Sequence, residues 1–204
     1  MSARTGILAY GSLIDDPGRE IFDATIETIK DGVMTPFKVE FARKSRERAN
    51  APTLVLVEKG GARVQAQIFV LNVSEEEAAN RLYRREINRV GEKNIVYSRP
   101  KNPGPNSVII ERLEAFQGLN IVLYTSIEAN IEDPTPQKLA ELAIESAREL
   151  GDGRDGITYL INAKRNGIRT LLSDAYEEEI KRLTKSKDLP EALENVRRRR
   201  NALI

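Results

Sequence analysis

Two residue types that carry much of enzyme chemistry are missing from this sequence of 204 residues, which contains no cysteine and no histidine. Without cysteine, the chain can form no disulfide, no thiol nucleophile and no thiolate metal site. Without histidine, a Ser-His-Asp triad and a histidine-ligated zinc site are both excluded. If the protein is an enzyme, its acid–base chemistry therefore has to come from aspartate, glutamate, lysine or tyrosine.

Charge of one sign and long apolar runs are also scarce. The formal net charge is +1, so no overall field attracts nucleic acid or an anionic membrane. No apolar stretch approaches the length of a membrane span, and Met1–Gly6 lacks the pattern of a signal peptide, so we expect a cytoplasmic protein without a membrane partner. The length predicts a single domain over residues 1–204, with its core at about 6–183 and a C-terminal helical extension at about 188–204.

The apolar patterns predict strands first and helices later. Strands are expected at Gly6–Tyr10, Pro36–Arg43, Thr53–Val57, Val64–Leu71, Val108–Ile110 and Leu119–Tyr124. Helices are expected at Ser74–Val90, Asp133–Leu150, Asp155–Arg165, Ser173–Leu183 and from Pro190 onward. The turn at Gly60-Gly61 favours a hairpin between its two flanking strands. This order of elements is typical of the α+β class.

Two segments are less clear from their patterns. Residues Glu20–Val33 fit either a short helix or parts of a strand. The segment 92–106 contains three prolines and a glycine and is typical of a loop, with one short strand expected at Ile95–Tyr97.

The first strand ends in a turn that could bind a ligand. The apolar run is interrupted at Gly11-Ser12, where glycine frees the backbone to turn. Backbone N–H groups that leave a ladder in such a turn can converge on an anion or a carbonyl oxygen. A plain strand-to-turn junction would have the same pattern.

A glutamate lies among the apolar positions of the helix expected at Ser74–Val90. Six apolar residues share one face at about 100° per residue: Ala78, Ala79, Leu82, Tyr83, Ile87 and Val90. Glu86 falls near the centre of this face, whereas Arg84 and Arg85 point away from it. Burial would raise the pKa of the Glu86 carboxyl toward neutrality, where it could transfer protons. An inward glutamate can also be held by a structural arginine, so the pattern leaves both interpretations open.

These motifs together resemble a known family. Ala9-Tyr10-Gly11-Ser12-Leu13 and the later Leu82-Tyr83-Arg84-Arg85-Glu86 are similar to motifs of the γ-glutamylcyclotransferase-like superfamily, and more narrowly of its ChaC-type branch. The helix of residues 139–144, the glycines Gly151 and Gly153 and the pair Tyr159-Leu160 resemble a late segment of that branch. The resemblance spans about residues 6–183.

The resemblance implies a fold, a reaction and a set of site residues. The fold would be a small mixed β-barrel flanked by helices. The reaction would cyclise a γ-glutamyl group to pyroglutamate (5-oxoproline) and release an amine or peptide, with glutathione and its product cysteinylglycine as one candidate pair, and with no metal or cofactor. Glu86 would be the catalytic base and acid, and Tyr10, Gly11, Ser12 and Leu13 would hold the γ-glutamyl end.

Two further substrate contacts follow from the resemblance less directly. Tyr124, at the end of a strand, would contact the same end of the substrate, although a tyrosine at the rim of the core would have the same pattern. Arg43, in the basic segment Arg43–Arg48, would bind a second carboxylate such as the glycine end of glutathione, since arginine suits bidentate carboxylate binding. A solvated basic loop is the alternative.

The remaining charged clusters predict less. Asp152 and Asp155 are too few for a calcium site. The run Arg197–Arg200 has no aromatic platform, so we expect no nucleic-acid partner and interpret it as a solvated helix end or a terminus that docks on a second copy in a homodimer. The expected partner is a small γ-glutamyl compound. The alternative function is a non-catalytic protein of the same fold that binds such a ligand.

Overall fold

The structure, a computed structural model, describes residues 4–151 and 153–201, with the side chains of Arg200 and Asn201 left aside. This part of the chain divides into two compact units. The first contains the described residues up to Pro36 together with Gln65–Glu128, and the second contains Phe37–Val64 together with the described residues from Ala129 onward. Both units combine strands with helices, which confirms the α+β class.

Seven strands and seven α-helices make up the described chain. The strands are β1 (Thr5–Ala9), β2 (Thr25–Ile29), β3 (Val39–Ser45), β4 (Ala51–Leu56), β5 (Gln67–Leu71), β6 (Ile109–Phe116) and β7 (Leu119–Ser126). The helices are α1 (Ser12–Asp15), α2 (Arg19–Ala24), α3 (Glu75–Glu86), α4 (Pro136–Glu149), α5 (Gly156–Arg165), α6 (Ser173–Thr184) and α7 (Leu189–Asn201). The ambiguous segment Glu20–Val33 contains first a helix, α2, and then a strand, β2. The prediction of a short strand at Ile95–Tyr97 is wrong, because the chain there is irregular.

The first unit is built on a mixed five-stranded sheet in the order β2-β5-β1-β7-β6. β1 runs parallel to β7, and the other neighbouring strands are antiparallel. All five residues of the central strand β1 are buried, which explains its continuous apolar run. Gly6 is required there, since a Cβ at this position would lie only 2.8 Å from side-chain atoms of Ile68 and Leu119.

The expected closed β-barrel and the expected hairpin are both corrected by this topology. β4 pairs with β3 in a separate two-stranded sheet, while β5 lies between β1 and β2. Among the described residues, β2 and β6 are the two ends of the larger sheet, which is therefore open. The hairpin prediction was wrong because a local alternation of apolar residues identifies a strand but contains no information about its partner.

Helix α3 covers one face of the larger sheet. A buried cluster joins α3 to strand residues and to the two short helices: Ile7, Ala9, Leu13, Ile21, Phe69, Leu71, Ala78, Leu82, Ile110 and Leu123. β5 ends at Leu71, opposite Thr5 at the start of β1. The helix follows β5 and runs back across the sheet, so its last turn lies near the end of β1.

The second unit packs α4–α7 with the β3–β4 sheet. Its core contains Phe41, which meets the rings of Tyr159 and Tyr176 edge-on at centroid distances of 6.2 and 5.3 Å. Glu40 is buried beside them and accepts hydrogen bonds from the Thr170 hydroxyl and the backbone N–H of Leu172. No helix in the described part of the chain is long and apolar enough to cross a membrane.

Candidate functional site

The turn after β1 has the geometry that its sequence predicts. Gly11 has φ 61° and ψ −137°, a conformation with positive φ that favours glycine. The next four residues, Ser12–Asp15, form the short helix α1, and the N–H of Ile14 donates to the carbonyl of Gly11 at 3.2 Å. The N–H groups of Ser12 and Leu13, which begin this helix, have no partner earlier in it, so the turn presents backbone donors at the end of β1.

The end of α3 differs from the prediction. The helix stops at Glu86 and not near Val90, because Asn88 takes a left-handed conformation with φ 57°. The N–H of Arg89 donates to the carbonyl of Arg84, and the N–H of Asn88 to that of Arg85, which is a Schellman ending. Asn88 is a residue type that tolerates this conformation, so the sequence contained the signal. The correction makes Glu86 the last residue of the helix and leaves Val90 exposed.

One guanidinium group connects the end of α3 to the turn after β1. Arg85 donates through Nη1 to Glu86 Oε1 at 2.8 Å and through Nη2 to Ser12 Oγ at 3.2 Å. Its Nε donates to the carbonyl of Asp16 at 2.9 Å. We call Ser12, Asp16, Arg85 and Glu86 the Arg85 cluster. The cluster brings together Ser12 and Glu86, two predicted site residues that lie 74 positions apart in the sequence. Both contact the guanidinium group of Arg85.

The surroundings of Glu86 differ from the apolar face that helical periodicity suggested. Its side chain is 21% exposed and that of Arg85 is 14% exposed. Arg85 was expected to point away from the apolar face on which Glu86 was placed, yet its guanidinium forms an ion pair with the Glu86 carboxylate. This pairing agrees with the interpretation of Glu86 as a glutamate held by an arginine, and the contact with Ser12 shows that the arginine also belongs to the candidate site.

Tyr10 reaches from the turn toward the end of β7. Its hydroxyl donates to the carbonyl oxygen of Thr125 at 3.0 Å. Because side chains alternate along a strand, Thr125 lies on the same face as Leu123, which is part of the cluster beneath α3. Leu13 is buried in that cluster as well. The turn residues Tyr10–Leu13, Thr125 and the Arg85 cluster therefore lie at one end of the α3-covered face.

Tyr124 lies on the opposite face of the sheet. It is paired across the strands with Glu111, which forms a two-point ion pair with Arg99. Burial raises the pKa of the Tyr124 hydroxyl above its ordinary value, and the charge of Glu111 adds to the rise while Arg99 opposes it. The structure does not bring Tyr124 together with Glu86, and its substrate contact stays a prediction.

Arg43 belongs to the second unit. It lies in β3, where its carbonyl accepts a hydrogen bond from the hydroxyl of Thr53 at 3.1 Å. The segment expected as a basic loop is the end of this strand followed by a 3-10 turn at Arg46–Arg48. Arg48 lies over the ring of Tyr159 at 5.1 Å. Arg48 thus has a packing role, and the substrate contact of Arg43 stays a prediction.

A buried ion network beside the candidate site was not found from the sequence. Arg84 is 1% exposed and donates through Nε and Nη2 to both carboxylate oxygens of Glu20 at 2.9 Å. It also contacts Glu77 at 3.3 Å and the carbonyl of Ile95 at 3.0 Å. Helical periodicity placed Arg84 on the solvent side, but α2 and the segment after α3 cover that side, and no pattern within the helix reveals this.

One polar group at the candidate site has no partner. Thr125 is 8% exposed, and its buried hydroxyl makes no hydrogen bond to any described residue. An unpaired buried hydroxyl costs about 1–3 kcal/mol. Thr125→Val removes this group and keeps the shape, so we expect the free energy of unfolding, measured in urea, to rise by about 1 kcal/mol.

Thr5→Val is the matched control for that substitution. Thr5 is also a buried strand residue, and its hydroxyl donates to the carbonyl of Val73. Its replacement should lower stability, because the hydrogen bond to the carbonyl of Val73 is lost. An equal loss in both variants would show that the Thr125 hydroxyl is satisfied after all.

The charged clusters outside this region have structural partners. Asp155 caps α5 by accepting from the N–H and the hydroxyl of Thr158, and Arg197 lies 3.4 Å from its carboxylate. Arg198 pairs with Glu194. Asp152 and the side chain of Arg200 lie outside the described residues. Among the residues that the structure describes, no three aspartate or glutamate side chains are grouped so that they could hold a metal ion.

Comparison with known proteins found similarity among solved structures and none among family models or curated sequences. No family model matches the sequence, and no curated protein matches it either. Among solved structures, a yeast γ-glutamyl cyclotransferase specific to glutathione is similar, with a TM-score of 0.47 and 14% sequence identity. The similarity covers 97% of this chain and 100% of that one. At this level the similarity extends to no particular residue.

Proposed function

We propose that the chain is a γ-glutamylcyclotransferase-type enzyme that converts a γ-glutamyl compound into pyroglutamate and a free amine or peptide. The observation that carries the proposal is the contact of one guanidinium, that of Arg85, with both Ser12 and Glu86. Two motifs that resemble the same family thus meet at one end of a sheet, although they lie far apart in the sequence. Glutathione is one candidate substrate.

The reaction requires one proton acceptor and donors for a developing oxyanion. Glu86 would take a proton from the substrate's α-ammonium, and the free amine would attack the γ-carbonyl carbon of the same molecule. The new C–N bond closes a five-membered ring, and Glu86 passes its proton to the leaving nitrogen as the old amide C–N bond breaks. The ring nitrogen gives up its second proton to the released amine, which leaves as an ammonium ion, so that the ring is the neutral lactam. A single carboxylate can serve both steps, because it is returned to its charged form at the end.

The turn after β1 would supply the other half of the chemistry. Backbone N–H groups near Gly11, Ser12 and Leu13 are suited to hold a carbonyl oxygen as it gains negative charge. A flexible γ-glutamyl chain must also be folded before its amine reaches its own carbonyl, and a site that fixes both ends lowers this entropic cost. Glu86 is 21% exposed, so its carboxylate is accessible to such a substrate.

The first experiment is a substrate panel. Wild-type protein is incubated with glutathione, γ-glutamylcysteine and γ-glutamylalanine, and pyroglutamate is measured by mass spectrometry. We expect release of pyroglutamate from at least one member, and the comparison with and without the cysteinylglycine portion identifies the leaving group. Absence of pyroglutamate from every member would contradict the proposal.

A second candidate function is favoured by the ion pair between Arg85 and Glu86. A glutamate held by an arginine is typical of a structural or ligand-binding role, so the chain could bind γ-glutamyl compounds without turnover. In that case the panel would form no pyroglutamate, yet the ligands would raise the melting temperature of the protein. The two functions are therefore separated by the same set of compounds.

A further inference from the structure

The ion pair between Arg85 and Glu86 has donors and an acceptor that make no hydrogen bond to the described residues. Arg85 has five N–H donors, and its three contacts with Glu86, Ser12 and Asp16 use one on each nitrogen. One N–H on Nη1 and one on Nη2 therefore have no partner among the described residues. On the carboxylate side, Arg85 occupies Oε1 of Glu86, and Oε2 has no partner within the described chain.

The free donors and the free acceptor carry opposite charges and belong to adjacent residues. A ligand that satisfies both must present an anionic acceptor and a cationic donor within a few ångströms of each other. The α-carbon of a free amino acid does so, because it bears a carboxylate and an ammonium group. Both side chains are partly exposed, at 14% and 21%, so the ion pair is within reach of a ligand from solvent.

We propose that Arg85 and Glu86 together recognise a zwitterionic α-amino acid head group, with the carboxylate bound by Arg85 and the ammonium by Oε2 of Glu86. This inference rests on the proposed function, because the head group would be that of the γ-glutamyl substrate. It makes Arg85 the residue that selects substrates with a free α-carboxylate. It also places the ammonium nitrogen, which must lose its proton before ring closure, against the proposed base.

Ser12 and Asp16 make this role of Arg85 geometrically specific. Their oxygens hold Nη2 and Nε from the side of the β1 turn, so the guanidinium plane is oriented before any ligand arrives. A preoriented guanidinium binds a carboxylate with less loss of side-chain entropy than a mobile one. Lysine, a point charge on a flexible stem, would reproduce only part of this recognition.

The test compares two ligands that differ only in the α-substituent. L-glutamate and L-isoglutamine share the ammonium group and the side chain, but isoglutamine has a neutral α-carboxamide. Neither contains a γ-amide, so neither is consumed by the proposed reaction. Dissociation constants are measured by NMR titration for wild type, Arg85→Met, Arg85→Lys and the control Arg89→Met, whose side chain is 59% exposed and pairs with Glu92.

We expect wild type and Arg89→Met to bind glutamate about 10–100-fold more tightly than isoglutamine, as expected for charge-assisted hydrogen bonds. Arg85→Met should reduce this preference to within about threefold, and Arg85→Lys should keep an intermediate preference. Equal binding of the two ligands by wild type, binding of neither, or an unchanged preference in Arg85→Met would each overturn the inference.

The outcomes also separate this inference from the proposed function. A carboxylate preference that depends on Arg85, in a protein that forms no pyroglutamate, would support head-group recognition and contradict cyclisation. Pyroglutamate formation, together with an unchanged preference of Arg85→Met for glutamate over isoglutamine, would support cyclisation and contradict head-group recognition by Arg85. In an active enzyme, Arg85→Met should raise KM for a γ-glutamyl peptide more than it lowers kcat, since the carboxylate contact is present in both the ground and the transition state.

Discussion

Replacing Glu86 with glutamine is expected to lower kcat for pyroglutamate formation by at least about 100-fold, because a general base of this kind contributes a factor of about 10²–10⁴. Glutamine retains an oxygen that accepts from Arg85, so the contact at 2.8 Å can persist. It cannot accept the proton of the α-ammonium group. The measurement is the initial rate of pyroglutamate release at saturating γ-glutamyl peptide.

The control for this variant is Glu92→Gln. Glu92 follows the same helix, is 44% exposed and pairs with Arg89, so its loss should change neither the rate nor the melting temperature appreciably. Glu86→Gln should also melt within a few degrees of wild type. Full activity in Glu86→Gln would exclude this carboxylate as the base and would leave only its structural interpretation.

The second large effect is expected on stability. Arg84→Met should lower the free energy of unfolding by about 3 kcal/mol, because the largely buried carboxylate of Glu20 loses its two-point contact with the Arg84 guanidinium. For a chain of this length, such a loss lowers the melting temperature by roughly 10 °C. Urea unfolding followed by circular dichroism measures the change.

Arg89→Met provides the comparison for Arg84→Met. Arg84 lies in the last turn of α3 and Arg89 just beyond its end. The Arg89 side chain is 59% exposed, and an exposed pair contributes at most about 1 kcal/mol. The two variants remove the same charge from neighbouring turns. Losses of similar size would mean that the buried network contributes no more than a surface pair.

The difference in stability between wild type and Arg84→Met should become smaller as the pH falls. Burial alone would raise the pKa of Glu20, but the hydrogen bonds from Arg84 and Gly91 and the charges of Arg84 and Arg81 outweigh it and lower that pKa below 4.5. The folded state therefore binds a proton at Glu20 less readily than the unfolded state does. Wild-type stability from this group is complete above about pH 4.5 and is lost as the pH falls through the lowered pKa.

In Arg84→Met the largely buried Glu20 carboxylate loses the strongest of the interactions that lower its pKa, while the Gly91 N–H and the charge of Arg81 remain. Protonation of Glu20 then removes a poorly compensated charge, so acid should stabilise the variant relative to wild type. The difference between the two proteins should be largest near neutral pH and should shrink below pH 4.5. A difference that does not change with pH would assign the destabilisation to lost packing of the long arginine side chain instead.

Several local features were determined by the sequence because their causes lie within a few residues. Ser74 caps α3 by accepting from the N–H of Glu77 at 3.3 Å, and Thr135 caps α4 in front of Pro136. Gly11 has the positive φ that the end of β1 requires. The end of α3 at Asn88 belongs to the same class of signal, because an asparagine two residues beyond a helix is a known helix terminator.

Strand pairing and the solvent exposure of arginines belong to a different class. β4 and β5 are separated by a turn that suits a hairpin, yet each pairs with a strand from elsewhere in the chain. The position of Arg84 around the helix is that of a surface residue. It is nevertheless buried, because α2 packs over it and Glu20 of α2 pairs with its guanidinium. These outcomes depend on residues distant in sequence. The spacing of apolar residues within one helix or strand contains no information about which elements pack against it.

The amino-acid sequence by itself excluded cysteine and histidine chemistry and determined that the class is α+β. It also identified Glu86 and the turn at Gly11-Ser12 as candidate site residues. Only the tertiary structure decided that an arginine expected to face away joins those two places. The physical reason is that a side chain of this length takes its direction from the acceptors within reach, here Glu86, Ser12 and Asp16, and two of these three come from a part of the chain that only folding brings near.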